Sequence, residues 1–463
     1  MTYDLVIVGM GSGGIVAAEF AATLGLNVAV AERARVGGDC LWTGCVPSKA
    51  LLAAAKAAHH VRTAGDFGIT VAEAQIDQAA VWDRIRRVQA GIAATDDNPD
   101  RFRAMGIEII TGQARLTGAN TLDVDGQAIE TRYVLLATGS RPATPNIPGL
   151  ADAGYLTSEN LFELTEPSAS FLNIGGGPIA VEMAQGFTRL GIPTTLLQKG
   201  SRILPRDEPM LVDQLVTSLH AEGVDLRFDV ETERVAVEAG RKVVYGTEGG
   251  EPARWEADEL LVAVGRAPNV DGLGLDVLGI PTTDRGITVD DRGRTSVSNI
   301  YACGDVAGRY LFTHSAAYEA VRAVRDMFFP GKGRVNAMVP WCTFTDPELA
   351  HAGVTEAEAR AEYGDAVEVW HQDLQHNDRA RADGARGAIV VVTAKRKIVG
   401  AHILAPAAGE MIHEFALAIS EGLKLDALAG FMHVYPTVAT GVGQLAGDAA
   451  FERAEKLRWL VRK

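Results

Sequence analysis

The chain has 463 residues, 47% of them hydrophobic and 22% charged, with a formal net charge of −15 at pH 7. That length exceeds what one hydrophobic core holds and predicts three or four domains; the acidic balance excludes general binding to nucleic acid and to anionic membrane surfaces. No apolar run has the length of a membrane span, and no basic stretch of the signal-peptide kind precedes the first strand. With only four cysteines, the chain reads as a cytoplasmic protein in which a disulfide is catalytic rather than structural.

The 50 glycines suit an α/β protein with tight turns. Leu5-Val6-Ile7-Val8 reads as a buried strand running into Gly9-Met10-Gly11-Ser12-Gly13-Gly14. An apolar helix from Ile15 to Leu24 follows, then a second strand, Asn27–Ala31, closed by Glu32. Strand, Gly-x-Gly-x-x-Gly turn, helix, strand and acid in this order predict a dinucleotide site. The glycines admit a pyrophosphate to the helix N-terminus, and Glu32 accepts hydrogen bonds from ribose hydroxyls.

Next comes Val36-Gly37-Gly38-Asp39-Cys40-Leu41-Trp42-Thr43-Gly44-Cys45-Val46-Pro47-Ser48-Lys49. A regular helix would set Cys40 and Cys45 about 7.5 Å apart along its axis and roughly 140° apart in rotation. A disulfide needs converging Cβ vectors. If the two are bonded, the segment is irregular, and Gly44 supplies the freedom. Pro47 suits the first turn of an alanine-rich helix running toward His60. A sulfur near that helix N-terminus is favoured as thiolate, making Cys45 the more acidic of the pair. No second Cys or His pair follows at zinc-finger spacing, so no resident metal is expected.

Ile107–Ala114 and Asn120–Val124 read as short strands, and Tyr133–Ser140 as a buried one ending in a small-residue turn. Phe171–Ile174 opens a second copy of the nucleotide-binding pattern: Gly175-Gly176-Gly177-Pro178-Ile179-Ala180, a helix to Leu190, and strand Thr194–Leu197. At the position of Glu32 this copy has Gln198, followed by Lys199 and Arg202. Without a carboxylate and with cations nearby, the site favours NADPH over NADH. Strands Glu259–Val264 and Asn299–Cys303 lead into Gly265-Arg266 and Gly304-Asp305, and Asp305 stands where a carboxylate can meet a ribityl hydroxyl. From about Pro340 the pattern becomes α+β, with a hairpin over Ala388–Thr393 and Lys397–Ile403 and helices near Met411–Glu421 and Leu425–Gly430.

These motifs, together with Ala137-Thr138-Gly139 and Phe344-Thr345-Asp346-Pro347-Glu348, make the chain similar over nearly its whole length to the two-dinucleotide-binding flavoprotein disulfide reductases. That is class I of the pyridine nucleotide-disulfide oxidoreductases, and the resemblance is to its mercuric reductase-like and dihydrolipoamide dehydrogenase-like branches. It implies an α/β fold with two Rossmann-like dinucleotide-binding domains and a C-terminal α+β dimerisation domain. The expected boundaries are 1–145 and 272–338 for FAD, 146–271 for NAD(P)H, and 339–463 for the interface of a homodimer.

The FAD site is assigned Gly9, Gly11, Ser12, Gly13, Gly14, Glu32, Gly38, Lys49, Ala114, Ala137, Thr138, Gly139, Gly304, Asp305, Thr313 and Ala316. The NADPH or NADH site is assigned Gly175, Gly177, Ala180, Gln198, Lys199, Arg202 and Gly265. By the same resemblance Cys45 is the sulfur nearer the flavin and Cys40 the interchange thiol. Lys49 lies beside flavin N5 with Glu182 as its partner. The cation stabilises negative charge developing on the reduced ring, and a buried lysine needs an anion.

The chain departs from its relatives at His433-Val434-Tyr435-Pro436-Thr437-Val438-Ala439-Thr440. Tyr435 stands at the position of the family's histidine base and Thr440 at that of its carboxylate. A phenol with a pKa near 10 is a poor base at neutral pH. His433 is the one residue able to deputise, although a structural or surface role is the favoured reading.

The sequence therefore predicts an NAD(P)H-dependent FAD enzyme passing electrons through Cys40 and Cys45 to an acceptor needing little acid–base help. A thiophilic metal ion such as mercuric ion fits that chemistry. However, Leu460–Lys463 carries no cysteine pair and no metal-binding domain precedes Met1, so a small disulfide or a quinone is equally expected. Dihydrolipoamide dehydrogenase activity and a non-catalytic role as redox sensor or scaffold are the alternatives.

Overall fold

The computed structural model describes residues 2–72, 75–165, 168–331 and 338–461. The chain folds into two compact units of interleaved segments. One comprises residues 1–175, 232–246 and 252–335, the other residues 176–231, 247–251 and 336–463.

In the first unit five parallel strands lie in the order Glu108–Thr111, Val28–Glu32, Tyr3–Val8, Gln127–Leu136 and Ile300–Ala302. The unbroken apolar run of the central strand is what burial on both faces demands. Alternate side chains take opposite faces. Leu5, Ile7, Val28, Val30 and Leu135 pack on Ala17 and Ala21 of the Ser12–Thr23 helix and Ala320 and Val324 of the Thr313–Phe328 helix. Val6, Val8, Ala29, Ala31 and Val134 meet Leu116, Leu122 and Val124 on the other side.

Those last three residues belong to strands Ala114–Gly118 and Thr121–Val124, which pair antiparallel with each other and with the first half of Gln127–Leu136. The single strand expected over Ile107–Ala114 is thus two. The break is at Gly112, where φ is +151° and an added Cβ would lie 2.6 Å from Asp125 Oδ2. Phe171–Ile174 pairs in parallel with Glu259–Val262.

The second unit begins with the Pro178–Arg189 helix. Strand Thr194–Leu197 then pairs in parallel with Asp225–Arg227 after a crossover through helix Pro209–Ala221, as parallel neighbours require. The C-terminal part is an antiparallel sheet ordered Trp341–Thr343, Glu348–Gly353, Lys397–Ala405, Ala388–Ala394, Val367–Asp373. Helices Ala408–Ser420 and Thr440–Lys456 bury Met411, Phe415, Val442 and Leu445 against it. Leu425–Gly430, expected as a helix, is a 3-10 segment, too short for a stable α-helix of its own.

Register aligns Trp341 with His351 and His351 with His402. Trp341 stacks on His351 with centroids 3.6 Å apart, and His351 meets His402 edge-on at 4.7 Å. Each histidine is 1% exposed. Their Nε2–H groups donate to Gly353 O at 2.9 Å and Val354 O at 3.1 Å, and neither Nδ1 has a hydrogen-bond partner among the described residues. Burial lowers His351 to about 4 and His402 to about 3. Asp207, which accepts from Trp341 Nε1 at 2.8 Å, is raised by burial to about 6.

Both imidazoles stay neutral when folded but take protons when unfolded below about pH 6.5. Their contribution to stability is complete above that pH and falls as pH drops toward the folded values, while Asp207 acts in the opposite sense. Between pH 7 and pH 5 the loss is roughly 2 kcal/mol per histidine. Urea denaturation of wild type and of His402→Gln at both pH values checks this: the variant loses less stability on acidification.

Candidate active site

The carboxyl end of the Tyr3–Val8 strand turns at Gly9, whose φ is +98° and whose added Cβ would lie 2.5 Å from Ala137 O. At Gly14 an added Cβ would meet Gly9 O at 2.0 Å, so the helix seats against the turn only with glycine there. The Ser12–Thr23 helix starts at Gly11 without a side-chain cap, leaving its first N–H groups directed at whatever lies beyond. A Cβ on Gly38 (φ +56°) would come within 2.7 Å of Gly11 Cα. Two bare backbones therefore form one floor. Glu32 fixes the rim, accepting from Met10 N at 2.6 Å and Ala34 N at 2.7 Å. An uncapped helix start, a glycine floor and a terminal carboxylate fit the adenosine and pyrophosphate of a dinucleotide.

The dithiol loop borders that floor. A short helix, Gly38–Trp42, stops at Thr43-Gly44, and the Cys45–Arg62 helix then begins. The loop is stapled from behind: Trp42 Nε1 donates to Val36 O at 2.8 Å, and Gln89 Nε2 donates to Leu41 O at 3.1 Å and Trp42 O at 2.8 Å. Across the break Cys40 and Cys45 come close enough for each to shift the other's ionisation. Cys45 Sγ lies 3.3 Å from Thr313 Oγ1, the first residue of the Thr313–Phe328 helix.

The neighbouring Cys40 lowers the Cys45 pKa; the Thr313 hydroxyl and the Lys49 charge add to this against the opposing effects of burial and Asp39. Cys40 is raised by Cys45 and by burial, with Thr313 and Ser12 acting in the other direction. Of the two thiols, Cys45 is the one favoured as thiolate.

Three strand ends are tied together beside this loop. Asp305, in the turn after Ile300–Ala302, accepts from Ser140 Oγ at 2.5 Å and lies 3.6 Å from Arg266 Nε. Arg266 donates to Ser140 Oγ at 2.7 Å and Ser140 O at 3.1 Å, and its Nη2 lies 3.2 Å from Asp39 Oδ2. Burial raises the Asp305 carboxyl, against the Ser140 bond and the Arg266 charge. Sequence reading reached Asp305 and Gly265 but missed Ser140 and Arg266; an arginine directly after a strand-terminal glycine was the available signal.

Thr138 Oγ1 donates to Asn269 O at 2.8 Å, and Asn269 N donates to Gly139 O at 3.0 Å. An added Cβ on Gly304 would meet Ala316 Cβ at 2.9 Å, and one on Gly13 would meet Cys303 Sγ at 3.1 Å. Ala114 is 2% exposed in the sheet core, which leaves its backbone alone for a ligand.

In the second unit Gly177 caps the Pro178–Arg189 helix without a side-chain bond, and Ala180 is buried. Glu182, also buried, accepts from Phe344 N at 2.9 Å. Gln198 lies over Gly176, where an added Cβ would be 2.6 Å from its Oε1, and its Nε2 donates to Arg202 O at 2.9 Å. Lys199 pairs with Glu231 at 3.1 Å, and Arg202 donates to Pro205 O at 3.1 Å.

Near the C-terminus Tyr435 is 67% exposed and donates to Asp378 Oδ2 at 3.0 Å. The His433 side chain is 8% exposed with Nε2 3.2 Å from Glu414 Oε1. Thr440 is taken up locally, its hydroxyl accepting from Thr437 N at 3.2 Å. Among the described residues no cluster of three or more His, Cys, Asp or Glu could hold a metal ion, and no helix is long and apolar enough to cross a membrane.

Residues 3–320 match the family described as pyridine nucleotide-disulphide oxidoreductase, and residues 339–446 match that family's dimerisation domain. The chain is 35% identical over 451 residues to a mercuric reductase of Streptomyces lividans, covering 94% of each chain. It is 34% identical over 449 residues to a mercuric reductase of Bacillus cereus, covering 95% of this chain and 70% of that one. With a dihydrolipoyl dehydrogenase of Chlorobaculum parvum the identity is 33% over 460 residues and 96% of each chain. The fold superposes on the Cu(II) complex of the HOCl-induced flavoprotein disulfide reductase RclA from Escherichia coli, with a TM-score of 0.85 at 27% identity, covering 96% of this chain and 99% of that one.

Removing the Thr313 hydroxyl deprives the Cys45 thiolate of a donor. Thr313→Val is expected to raise the ionisation midpoint of Cys45 by roughly one pH unit, the worth of a hydrogen bond to a charged group. Ultraviolet thiolate absorbance of the reduced protein against pH, with Cys45→Ser as the blank, measures it.

Proposed function

The chain belongs to the pyridine nucleotide-disulphide oxidoreductases, and from that premise we propose a cytoplasmic, homodimeric reductase that uses NADPH in preference to NADH. Its acceptor is one that needs little acid–base help: a small disulfide, a quinone or a thiophilic metal ion. FAD, when bound, supplies the two-electron relay between nicotinamide and dithiol. The first glycine turn, Glu32, Ala137-Thr138-Gly139 and Asp305 would hold it, with Lys49 placed to balance negative charge.

The observation that carries the reading is the pair of cysteines facing each other across the Thr43-Gly44 break, with Cys45 Sγ 3.3 Å from Thr313 Oγ1 and its pKa lowered toward the thiolate. With a disulfide acceptor, Cys40 gives its proton to Cys45 and attacks. One acceptor sulfur leaves as thiolate and a mixed disulfide forms. Cys45 returns the proton to the departing group and closes on Cys40, releasing the second sulfur as thiolate, which takes its proton from solvent. The acceptor gains two electrons, and the pair ends as a disulfide.

Gln198 in place of a carboxylate supports NADPH, with Lys199 and Arg202 close by in sequence. The dimerisation-domain match supports a homodimer. A second reading, dihydrolipoamide dehydrogenase, is favoured by the similarity to the Chlorobaculum parvum protein. Tyr435 and Thr440 stand against it, because neither supplies a base at neutral pH.

Anaerobic titration of the FAD-loaded protein should give faster reduction with NADPH than with NADH, together with a long-wavelength thiolate-to-flavin band. Steady-state assays with lipoamide, glutathione disulfide, a quinone and mercuric ion should show lipoamide as a poor acceptor. Cys40→Ser should lower disulfide turnover more than about a hundredfold, as loss of a nucleophile does. Preferential use of NADH would overturn the nicotinamide assignment, and brisk lipoamide turnover would overturn the choice of acceptor class.

A further inference from the structure

Asp39 occupies an unusual place for an acid. It immediately precedes Cys40, yet its side chain folds back over the break in the loop, where an added Cβ on Gly44 would lie 3.0 Å from Asp39 Oδ2. Gly44 in turn immediately precedes Cys45. Asp39 Oδ1 accepts from Thr43 Oγ1 at 2.5 Å, which holds the carboxylate inside the dithiol loop.

A carboxylate so close to a thiolate works against it, and Asp39 is one of the groups that raise Cys45. The opposing charge comes from outside the loop. Arg266 reaches Asp39 Oδ2 at 3.2 Å with only 13% of its side chain exposed, held in place by Ser140 and lying 3.6 Å from Asp305. The groups facing Cys45 are Cys40 and Asp39 from its own loop, Lys49 from its own helix and Thr313 from the helix opposite; Ser12 reaches Cys40.

We propose that the Asp39–Arg266 pair is the charge regulator of the dithiol, with Asp39 making it a stronger reductant and Arg266 setting how strongly Asp39 acts. Both are positioning residues, and the inference rests on the reading of Cys40 and Cys45 as the redox pair. A carboxylate that disfavours the thiolate disfavours the reduced pair, so electrons pass on to the acceptor more readily. An arginine that neutralises that carboxylate moderates the push. The same guanidinium bonds the Ser140–Asp305 turn, which links the charge at the thiols to the turn assigned to the flavin's ribityl chain.

Two measurements on the FAD-loaded protein test this: the pH midpoint of the Cys45 thiolate, and the dithiol–disulfide potential in a glutathione buffer with trapping and mass spectrometry. Asp39→Asn keeps an acceptor for Thr43 and removes the charge. It should lower the midpoint by about half a pH unit, a modest effect as expected for a partly exposed charge. That is about a threefold rise in the thiol's ionisation constant, corresponding to a potential about 15 mV higher for a two-electron couple at pH above the midpoint.

Arg266→Met should move both readings the opposite way, Arg266→Lys should restore them in part, and the double variant should match Asp39→Asn, because Arg266 acts through Asp39. Should Arg266→Met fail to fold, Asp39→Asn and Arg266→Lys still decide. An unchanged or raised midpoint in Asp39→Asn overturns the proposal. A wild-type dithiol that never equilibrates with the buffer would instead overturn the reading beneath it.

Discussion

The site depends on two sulfurs brought together so that each shifts the other's ionisation, Cys45 toward the thiolate and Cys40 away from it. Cys40 and Cys45 meet only because the chain interrupts two helical segments at Thr43-Gly44. An unbroken helix would turn the thiols to different faces. The loop is entered through Gly37 and Gly38, with φ values of +100° and +56°, and the break is stabilised from behind by Gln89 and by the Trp42 indole on Val36 O. Such stapling makes one thiol separation dominate over many, the condition for a preorganised site.

The parallel sheet does the rest of the positioning. Carboxyl ends of adjacent parallel strands open on the same edge, so Gly9, Ala137 and the Cys303-Gly304-Asp305 turn converge although they are far apart in sequence. Burial then makes each polar group at that edge need a partner. Asp305 finds Ser140 and Arg266, Gly304 N finds Glu319 Oε2 at 2.8 Å, and Glu32 finds two backbone N–H groups. These bonds hold the edge rigid, so the carboxylates and bare backbones keep their places beside the thiols.

Local chemistry was legible in the sequence, and contacts across it were not. Strand–glycine–helix patterns declare themselves because they depend on neighbours a few residues apart: Gly9, Gly14 and Gly175 stand where turn sterics require them. The family followed from several such patterns in fixed order. Arg266 and Ser140 escaped because their meaning lies in an ion pair with Asp39, more than two hundred residues away from Arg266 in the chain. The His351–His402 pair escaped for a related reason, since two histidines in separate strands become a buried neutral stack only once register is set. Ile107–Ala114 was read too long because the positive φ that Gly112 adopts leaves no mark on hydrophobic periodicity.

The proton economy of the proposed reaction can be argued from what the C-terminal segment holds. Thr440 spends its hydroxyl on the turn at Thr437. The Tyr435 phenol donates a hydrogen bond to Asp378, which raises its pKa and leaves still less phenolate to act as a base at neutral pH. His433 has a carboxylate partner in Glu414, but with 8% of the side chain exposed it is enclosed by its own unit. No group in this segment combines exposure with an affinity for protons suited to neutral pH. Cys45, inside the same loop, is the group that acts most strongly on the Cys40 thiol. A dithiol that manages its own proton works best on acceptors whose products leave without one, which places thiophilic ions and activated disulfides ahead of dialkyl disulfides as the proposed partners, while a quinone would draw the two protons of its hydroquinone from solvent.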